Sequence, residues 1–167
     1  MLTMMSLASK EIQISISNQE LYLFEHGEIL KTYKISSSKY GEGSKVDSFK
    51  TPLGKHEVKM LIGANEELGM RFIGRIPSDI YPIYNSEKIY ISDDVVQSRI
   101  IWLSGMEDGI NKGSGVDSFQ RYIYIHGTPE EWLLGKKASK GCIRMANIDV
   151  IELFDLLKGG ETVFINK

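Results

Sequence analysis

Apolar and polar residues alternate near the start of the chain, and this alternation restricts the possible folds more than any other feature of the sequence. Isoleucine occupies positions 12, 14 and 16, and polar residues fill the positions between them from Glu11 to Ser17. A two-residue period is that of a strand with one buried face, because successive side chains of a strand point to opposite sides. The sequence therefore predicts a half-buried strand that begins at Glu11.

Turn residues divide much of the remaining chain into further short segments of strand character. Asn18-Gln19 and His26-Gly27 are typical of turns and predict an antiparallel meander in the first 35 residues. Further strands are predicted at residues 21–24, 29–35, 55–61, 71–76, 99–103, 122–125 and 161–165. Residues 36–50 are rich in serine, glycine and lysine, which predicts an exposed loop and leaves open whether it forms a lid.

One segment, residues 148–157, has apolar residues at helical spacing. We expect Asn147 to cap its start and Gly159-Gly160 to end it. Many short strands with one or two helices predict a mainly β (α+β) fold, sandwich-like or barrel-like, rather than a doubly wound sheet. We expect a short N-terminal segment at residues 1–10 and a single domain at residues 11–167.

Length and charge limit the classes of protein that this chain can represent. It has 167 residues, a formal net charge of -2 and 42% apolar residues, as expected for one globular domain. With 20 basic and 22 acidic residues, no nucleic acid partner is expected. No apolar run approaches the roughly 20 residues that a membrane helix needs. Met1 to Ala8 lacks the pattern of a signal peptide, so we expect a cytoplasmic location; an upstream signal would imply the periplasm or cell wall.

Cys142 is the only cysteine in the sequence. It cannot form an intramolecular disulfide, and neither it nor the three histidines show the spacing of a zinc site. We therefore expect no metal and no other cofactor, and a metallohydrolase is disfavoured. A lone cysteine is either a small buried apolar residue or a nucleophile. His26 and His56 lie in a turn and a strand and are expected to be surface or structural residues.

Residues 122–147 contain the cysteine together with a third histidine. His126 follows a predicted strand, and Cys142 lies in a glycine-containing loop before the predicted helix. An imidazole can remove the proton of a thiol, whose ordinary pKa is about 8.5, and this pairing suits nucleophilic catalysis. Gly141 allows the backbone to turn sharply, so the amides of Gly141 and Cys142 are candidates for an oxyanion hole.

Three motifs resemble those of L,D-transpeptidase catalytic domains, the YkuD-like family. They are I-H-G-T at residues 125–128, S-K-G-C-I-R-M at residues 139–145 and T-P-L-G at residues 51–54. The resemblance implies a β-rich fold and a cysteine acyl-enzyme mechanism on peptidoglycan stem peptides or muropeptides. Cys142 would attack the carbonyl of the third stem residue and expel the terminal D-alanine. His126 would act as base and then acid, with its ring held by the Gly127 carbonyl.

The resemblance also implies residues that bind substrate around this pair. They are Ser139, Arg144, Tyr124 and Trp132, of which the last two would line the cleft. Ser139 is expected to shape the loop. Arg144 is expected to bind a substrate carboxylate or to lock the loop, or else to pair with Glu152 or Asp149.

The acyl acceptor separates several possible functions. In the cytoplasm water is the abundant acceptor, and the expected reaction is L,D-carboxypeptidation of tetrapeptide stems in muropeptide recycling. Transfer to an amine would instead form 3-3 cross-links or exchange D-amino acids. A non-catalytic module that binds wall fragments is the alternative from another class. The resemblance further implies acylation by carbapenems, and the oligomeric state is left open.

Overall fold

The computed structural model describes residues 10–167, which form ten strands, one α-helix and one short 3-10 helix. The strands are β1 (Glu11–Ser15), β2 (Glu20–Glu25), β3 (Glu28–Ser36), β4 (Gly54–Ile62), β5 (Met70–Ile73), β6 (Ile76–Ile80), β7 (Val96–Gly105), β8 (Tyr124–Gly127), β9 (Ile143–Met145) and β10 (Thr162–Asn166). The helix α1 spans Asn147–Leu156, and the 3-10 helix spans Glu131–Leu133. The predicted N-terminal segment lies outside the described residues, apart from Lys10. None of the helices described is long and apolar enough to cross a membrane.

Eight of the strands close into a barrel-like sheet. Hydrogen-bonded neighbours follow the order β4-β10-β1-β2-β3-β9-β8-β7, and an additional pairing of β4 with β7 closes the ring. The pairs β1–β10 and β8–β9 are parallel, and β5 and β6 form a hairpin that extends the sheet from β7. This architecture confirms the mainly β, barrel-like fold that the sequence predicts.

The interior of the barrel is filled by the alternating apolar residues. Ile12, Ile14 and Ile16 of the first strand region are at most 1% exposed. They belong to one cluster with Ile125 of β8 and Ile143 of β9, and α1 buries its apolar face in the same cluster. Because side chains alternate along a strand, the neighbours of Ile125 and Ile143 lie on the outer face of the sheet.

The start of α1 differs from the prediction that Asn147 caps it. The N-cap residue is Ala146, and Asn147 is the first helical residue. The Asn147 side chain is buried, donates to the Thr128 carbonyl at 2.9 Å and accepts from Ser98 Oγ at 2.6 Å. The Glu131 carboxylate accepts from the backbone amide of Asn147 at 2.8 Å, at the end of α1 where the helix dipole favours a negative charge. The cap prediction was wrong because these partners come from other parts of the chain.

Two further elements differ from the predicted strands. The segment predicted as one strand at residues 71–76 is a hairpin, with β5 and β6 separated by Gly74-Arg75, both of which have positive φ. No strand was predicted at β9, which has three residues and pairs with β3 and β8. This short strand is what places the loop containing Cys142 beside β8.

Candidate active site

Parallel pairing of β8 with β9 brings the motif residues to one face of the sheet. Ile125 lies opposite Ile143, and His126 lies opposite Arg144. Since the two isoleucines point into the barrel, His126 and Arg144 lie on the outer face. Cys142 directly precedes β9 and packs in an outer cluster rather than in the barrel core. The pairing therefore places the predicted nucleophile and the predicted base on the same face.

Cys142 lies in the wall of a cavity of about 440 Å³. The residue is 9% exposed. Its Sγ donates to the Tyr122 carbonyl and accepts from the Tyr124 amide, each at 3.3 Å. Burial raises the pKa of the Cys142 thiol to about 12, and the negative charge of Asp94 contributes to the rise. The thiol is therefore protonated at neutral pH and needs a base before it can act as a nucleophile.

His126 is fully buried, and its two ring nitrogens have different surroundings. Nδ1 lies 2.7 Å from the Gly127 carbonyl oxygen. Because a carbonyl only accepts, Nδ1 carries the proton and Nε2 has the free lone pair. Nε2 has no hydrogen-bond partner among residues 10–167. Burial lowers the pKa of His126, although Asp94 and the Gly127 carbonyl oppose this effect.

The Cys142 thiol and the His126 imidazole, both within the described residues, are not hydrogen-bonded to each other. Sγ uses the carbonyl of Tyr122 as its acceptor, while Nε2 of His126 is unpartnered. Both groups are influenced by the charges of Asp94 and Arg144. For proton transfer from Cys142 to His126, the thiol must therefore leave the Tyr122 carbonyl and turn toward Nε2 of His126. That nitrogen is unpartnered, lies on the same sheet face and can receive the proton.

Arg144 makes ion pairs that the sequence did not predict. Its guanidinium contacts Asp94 at 2.7 Å and Glu130 at 3.1 Å, and the residue is 4% exposed. The suggested pairing with Glu152 or Asp149 was wrong, because those residues lie on α1, where Glu152 accepts from Tyr33 at 2.7 Å. Two carboxylates therefore occupy the two terminal nitrogens of Arg144, which favours locking of the loops over binding of a substrate carboxylate.

The loop before Cys142 is held by side-chain hydroxyl groups. Ser139 is fully buried; its Oγ accepts from the Gly141 amide at 3.2 Å and donates to the Cys142 carbonyl at 2.6 Å. Gly141 has φ +128°, a conformation that side chains rarely adopt. Of the two amides considered for the oxyanion hole, that of Gly141 is thus already bonded to Ser139. Ser139 shapes the loop and does not face the cavity.

The two aromatic residues considered for the cleft have different positions. Tyr124 lines the cavity beside Cys142, and its hydroxyl accepts from Arg75 at 3.2 Å. Trp132 is not among the residues that line this cavity. Its indole donates to the Ile89 carbonyl at 3.1 Å and meets the Tyr90 ring edge-on at 4.7 Å. The prediction that Trp132 lines the cleft was therefore wrong.

The predicted loop at residues 36–50 supplies part of the cavity wall. Val46, Asp47 and Phe49 line the same cavity as Cys142. Arg121 holds this segment, because its guanidinium donates to the Lys50 carbonyl at 2.7 Å and to the Gly43 carbonyl at 3.3 Å. In the conformation described, the loop covers one side of the thiol.

Asp94 and Arg121 are charged residues near the thiol that sequence reasoning missed. Both line the cavity. Burial opposes ionisation of Asp94, but the charges of His126 and Arg144 hold its pKa below the ordinary value. Asp94 follows another aspartate in a polar stretch, and Arg121 lies in a turn, so neither stood out by spacing or motif.

The other two histidines lie outside this site. His26 is exposed, whereas His56 is fully buried and bonded through both nitrogens, to the Gly54 carbonyl at 3.0 Å and to Ser118 Oγ at 2.8 Å. Across residues 10–167, no group of three or more His, Cys, Asp or Glu side chains is arranged to hold a metal ion.

Comparison with known proteins identifies one family over almost the whole chain. Residues 9–165 match the family model of the L,D-transpeptidase catalytic domain, YkuD. YkuD of Bacillus subtilis (strain 168) is 54% identical over 48 residues, which are 29% of this chain and 29% of that protein. YkuD of Bacillus licheniformis is 44% identical over 46 residues, 28% of each chain.

Solved structures share the fold at low sequence identity. The L,D-transpeptidase LdtMt1 in complex with imipenem superimposes with a TM-score of 0.58 at 18% identity; the match covers 95% of this chain and 59% of that one. An L,D-transpeptidase from Mycobacterium smegmatis gives a TM-score of 0.58 at 16% identity and covers 96% and 59% of the two chains. This chain thus spans about 60% of the length of these structures. Together with the match over residues 9–165, these findings show that the chain belongs to the L,D-transpeptidase (YkuD) catalytic domain family.

Proposed function

We propose that the protein is a cysteine acyltransferase that cleaves peptidoglycan tetrapeptide stems between the third residue and the terminal D-alanine. The observation that carries this proposal is the position of Cys142 in the wall of a 440 Å³ cavity, on the same sheet face as an unpartnered Nε2 of His126. A protonated thiol becomes a nucleophile when a general base removes its proton, and a neutral imidazole on the same sheet face can act as that base.

In the proposed first half-reaction, His126 Nε2 takes the thiol proton as Sγ attacks the carbonyl carbon of the third stem residue. The bond to the D-alanine nitrogen breaks, and His126 returns the proton to that nitrogen. The Gly127 carbonyl keeps the proton on Nδ1 throughout, so Nε2 is the atom that exchanges it. The negative charge of Asp94 favours the imidazolium that forms between the two transfers.

We further propose that water accepts the acyl group, so that the net reaction is L,D-carboxypeptidation. In this proposal His126 removes a proton from water as the water oxygen bonds to the acyl carbon. The bond from that carbon to Sγ of Cys142 then breaks, His126 returns the proton to Sγ, and the tripeptide stem leaves as a carboxylic acid. Muropeptides in the cytoplasm are the proposed substrates. Recovery of the native protein with the cytoplasmic fraction of its cells is expected, and recovery with the wall or the periplasm would contradict this location.

Transfer to an amine is the second candidate, and one feature of the structure favours it. A second cavity of about 360 Å³ lies beside the first, and both are lined by Lys140. Its wall also carries the basic side chains of Lys39 and Lys137, which are suited to a peptide that bears carboxylates. A second stem bound there would place an amine near the acyl-enzyme and produce 3-3 cross-links or exchanged D-amino acids.

Mass spectrometry of the products distinguishes these reactions. The purified protein is incubated with a disaccharide tetrapeptide, alone and with added D-methionine, with Cys142→Ala as the control. We expect tripeptide and free D-alanine from the wild type and no product from the variant. Dimers or exchanged stems without tripeptide would overturn the proposal of water as the acceptor.

Ligand affinity and acylation distinguish the proposed enzyme from a non-catalytic binding module. Such a module would bind the tetrapeptide with the same affinity in the wild type and in Cys142→Ala, without turnover in either. For the proposed enzyme we expect the wild type to be acylated by a carbapenem at a single site, Cys142. A folded wild-type protein that binds the tetrapeptide but is neither acylated nor active would support the module instead.

A further inference from the structure

The backbone around Cys142 is fixed by hydroxyl groups from two separate segments. The Ser139 hydroxyl accepts a hydrogen bond from the Gly141 amide and donates one to the Cys142 carbonyl. The remaining carbonyl, that of Gly141, accepts from Thr51 Oγ1 at 2.9 Å. The Cys142 amide is different, since no described residue outside the strand ladder accepts a hydrogen bond from it. Three of the four backbone polar groups of this dipeptide are thus bonded to hydroxyl groups.

Thr51 controls the orientation of that remaining amide. The Gly141 carbonyl and the Cys142 amide belong to one planar trans peptide and point in opposite directions. A hydrogen bond that fixes the carbonyl therefore fixes the direction of the N–H. Thr51 is fully buried and is not part of the cavity wall, whereas Cys142 is. The Cys142 amide accordingly points away from Thr51.

The Thr51 hydroxyl has little freedom to turn elsewhere. Its oxygen accepts from the Ser38 amide at 3.0 Å, which leaves its proton to donate to Gly141. The backbone of Thr51 is itself anchored, because its amide donates to the Gly41 carbonyl at 3.0 Å and its carbonyl accepts from the Gly43 amide at 2.9 Å. Thr51 is thus a rigid support 91 positions before the nucleophile in the sequence.

We propose that Thr51 is a positioning residue that orients the Cys142 amide to stabilise the negative oxygen formed when Sγ attacks a carbonyl. The proposal rests on the proposed acyl-transfer function. It assigns the oxyanion donor to Cys142, since the Gly141 amide is already bonded to Ser139. Without the Thr51 hydroxyl, the Gly141–Cys142 peptide can rotate, and the donor is no longer aligned. Loss of one oxyanion donor reduces the rate by about 10² to 10³ in other acyl-transfer enzymes.

Two reactions of the same thiol test this role. Acylation by a carbapenem places negative charge on a carbonyl oxygen, whereas alkylation by iodoacetamide displaces iodide and forms no oxyanion. Both rate constants are measured for the wild type, Thr51→Val and Thr51→Ser. Thr32→Val makes the same change at an exposed position of β3 and serves as the matched control. Circular dichroism checks that each variant is folded.

We expect Thr51→Val to reduce acylation about tenfold or more while alkylation changes less than about threefold. Thr51→Ser keeps the hydroxyl and is expected to restore acylation to within about threefold of the wild type. Thr32→Val is expected to leave both rates unchanged. Should Thr51→Val not fold, Thr51→Ala removes the same hydroxyl, leaves space for water to pair with the Ser38 amide, and is expected to lose acylation in the same selective way.

A parallel loss of both rates, or no loss of either, would overturn the role of Thr51 in aligning the oxyanion donor. Failure of serine to restore acylation would also contradict it. A wild-type protein that is alkylated at Cys142 but never acylated would instead overturn the proposed function. The two failures are therefore distinguishable within one set of measurements.

Discussion

His126 and His56 share their burial and the kind of partner at Nδ1, but they differ at Nε2. Both are fully buried, and each has Nδ1 bonded to a backbone carbonyl, that of Gly127 at 2.7 Å or that of Gly54 at 3.0 Å. Burial lowers the pKa of both. At Nε2 they differ, because His56 is bonded to a buried serine, Ser118, at 2.8 Å, whereas His126 has no partner in the described residues.

This difference indicates what separates a structural histidine from a candidate base in this fold. Burial and a carbonyl anchor are common to both, so neither identifies a catalytic role. An unpartnered buried polar atom costs about 1–3 kcal/mol of stability, so each one needs an explanation, and a catalytic role is one such explanation. The free Nε2 of His126 lies on the same sheet face as Cys142, whereas Nε2 of His56 is bonded to Ser118.

The largest expected effect is on the reaction rate when the free nitrogen of His126 is removed. His126→Gln keeps an N–H donor for the Gly127 carbonyl but cannot accept the thiol proton. We expect kcat/KM to fall about 10³-fold, because general bases contribute roughly 10² to 10⁴ in rate. The measurement is tripeptide formation from the tetrapeptide. A fall of less than about tenfold would contradict the role of base.

The same substitution at His56 is expected to affect stability instead of rate. His56→Gln loses the hydrogen bond to Ser118 within the core, so the free energy of unfolding should fall by about 1–2 kcal/mol. Urea denaturation gives this value, and kcat/KM of the folded variant should match the wild type. If His56→Gln lowers kcat/KM as much as His126→Gln does, the distinction between the two histidines is wrong.

The pH dependence of thiol alkylation provides a third test. Burial raises the pKa of Cys142 to about 12, so the thiolate fraction rises about tenfold for each pH unit throughout the range up to pH 10. We expect the iodoacetamide rate constant in the absence of substrate to rise in the same way, without a plateau. A plateau near neutral pH would show a preformed thiolate and contradict the neutral resting pair.

A smaller effect is expected from the carboxylate that faces both groups. His126 is active as a base only when it is neutral, so kcat/KM is lost as the pH falls through its pKa, which burial holds below the ordinary value. Asp94 raises that pKa, and Asp94→Asn should therefore move the acid limb of the pH profile to lower pH. An acid limb that stays in place or moves to higher pH would contradict this influence of Asp94.

Local patterns predicted most of the strands and pointed to the candidate pair, Cys142 and His126, whereas the contacts around that pair could not be predicted. The alternation at Ile12, Ile14 and Ile16 can be read from neighbouring residues alone. The same is true of the short motifs around His126 and Cys142. Contacts from distant loops fill the rest of the site. Asp94 reaches Arg144 from 50 positions away, and no local pattern marks such a pair.

The errors in the sequence predictions have the same origin. Asn147 is of a residue type that often caps helices and stands at the start of α1, but its side-chain amide is hydrogen-bonded to Thr128 and Ser98 in the interior. The strand β9 was too short to show a period, although its pairing with β8 aligns the site. Thr51 was visible only as part of a motif, because its bond to Gly141 depends on the closed sheet.

Intact-protein mass spectrometry after exposure to a carbapenem tests the central claim most directly. It is applied to the wild type, Cys142→Ala, His126→Gln and His56→Gln. We predict one adduct per chain on the wild type and on His56→Gln, mapped by peptide analysis to Cys142, with no adduct on Cys142→Ala and strongly slowed formation on His126→Gln. A folded wild type without an adduct, or equal rates for the two histidine variants, would contradict the claim.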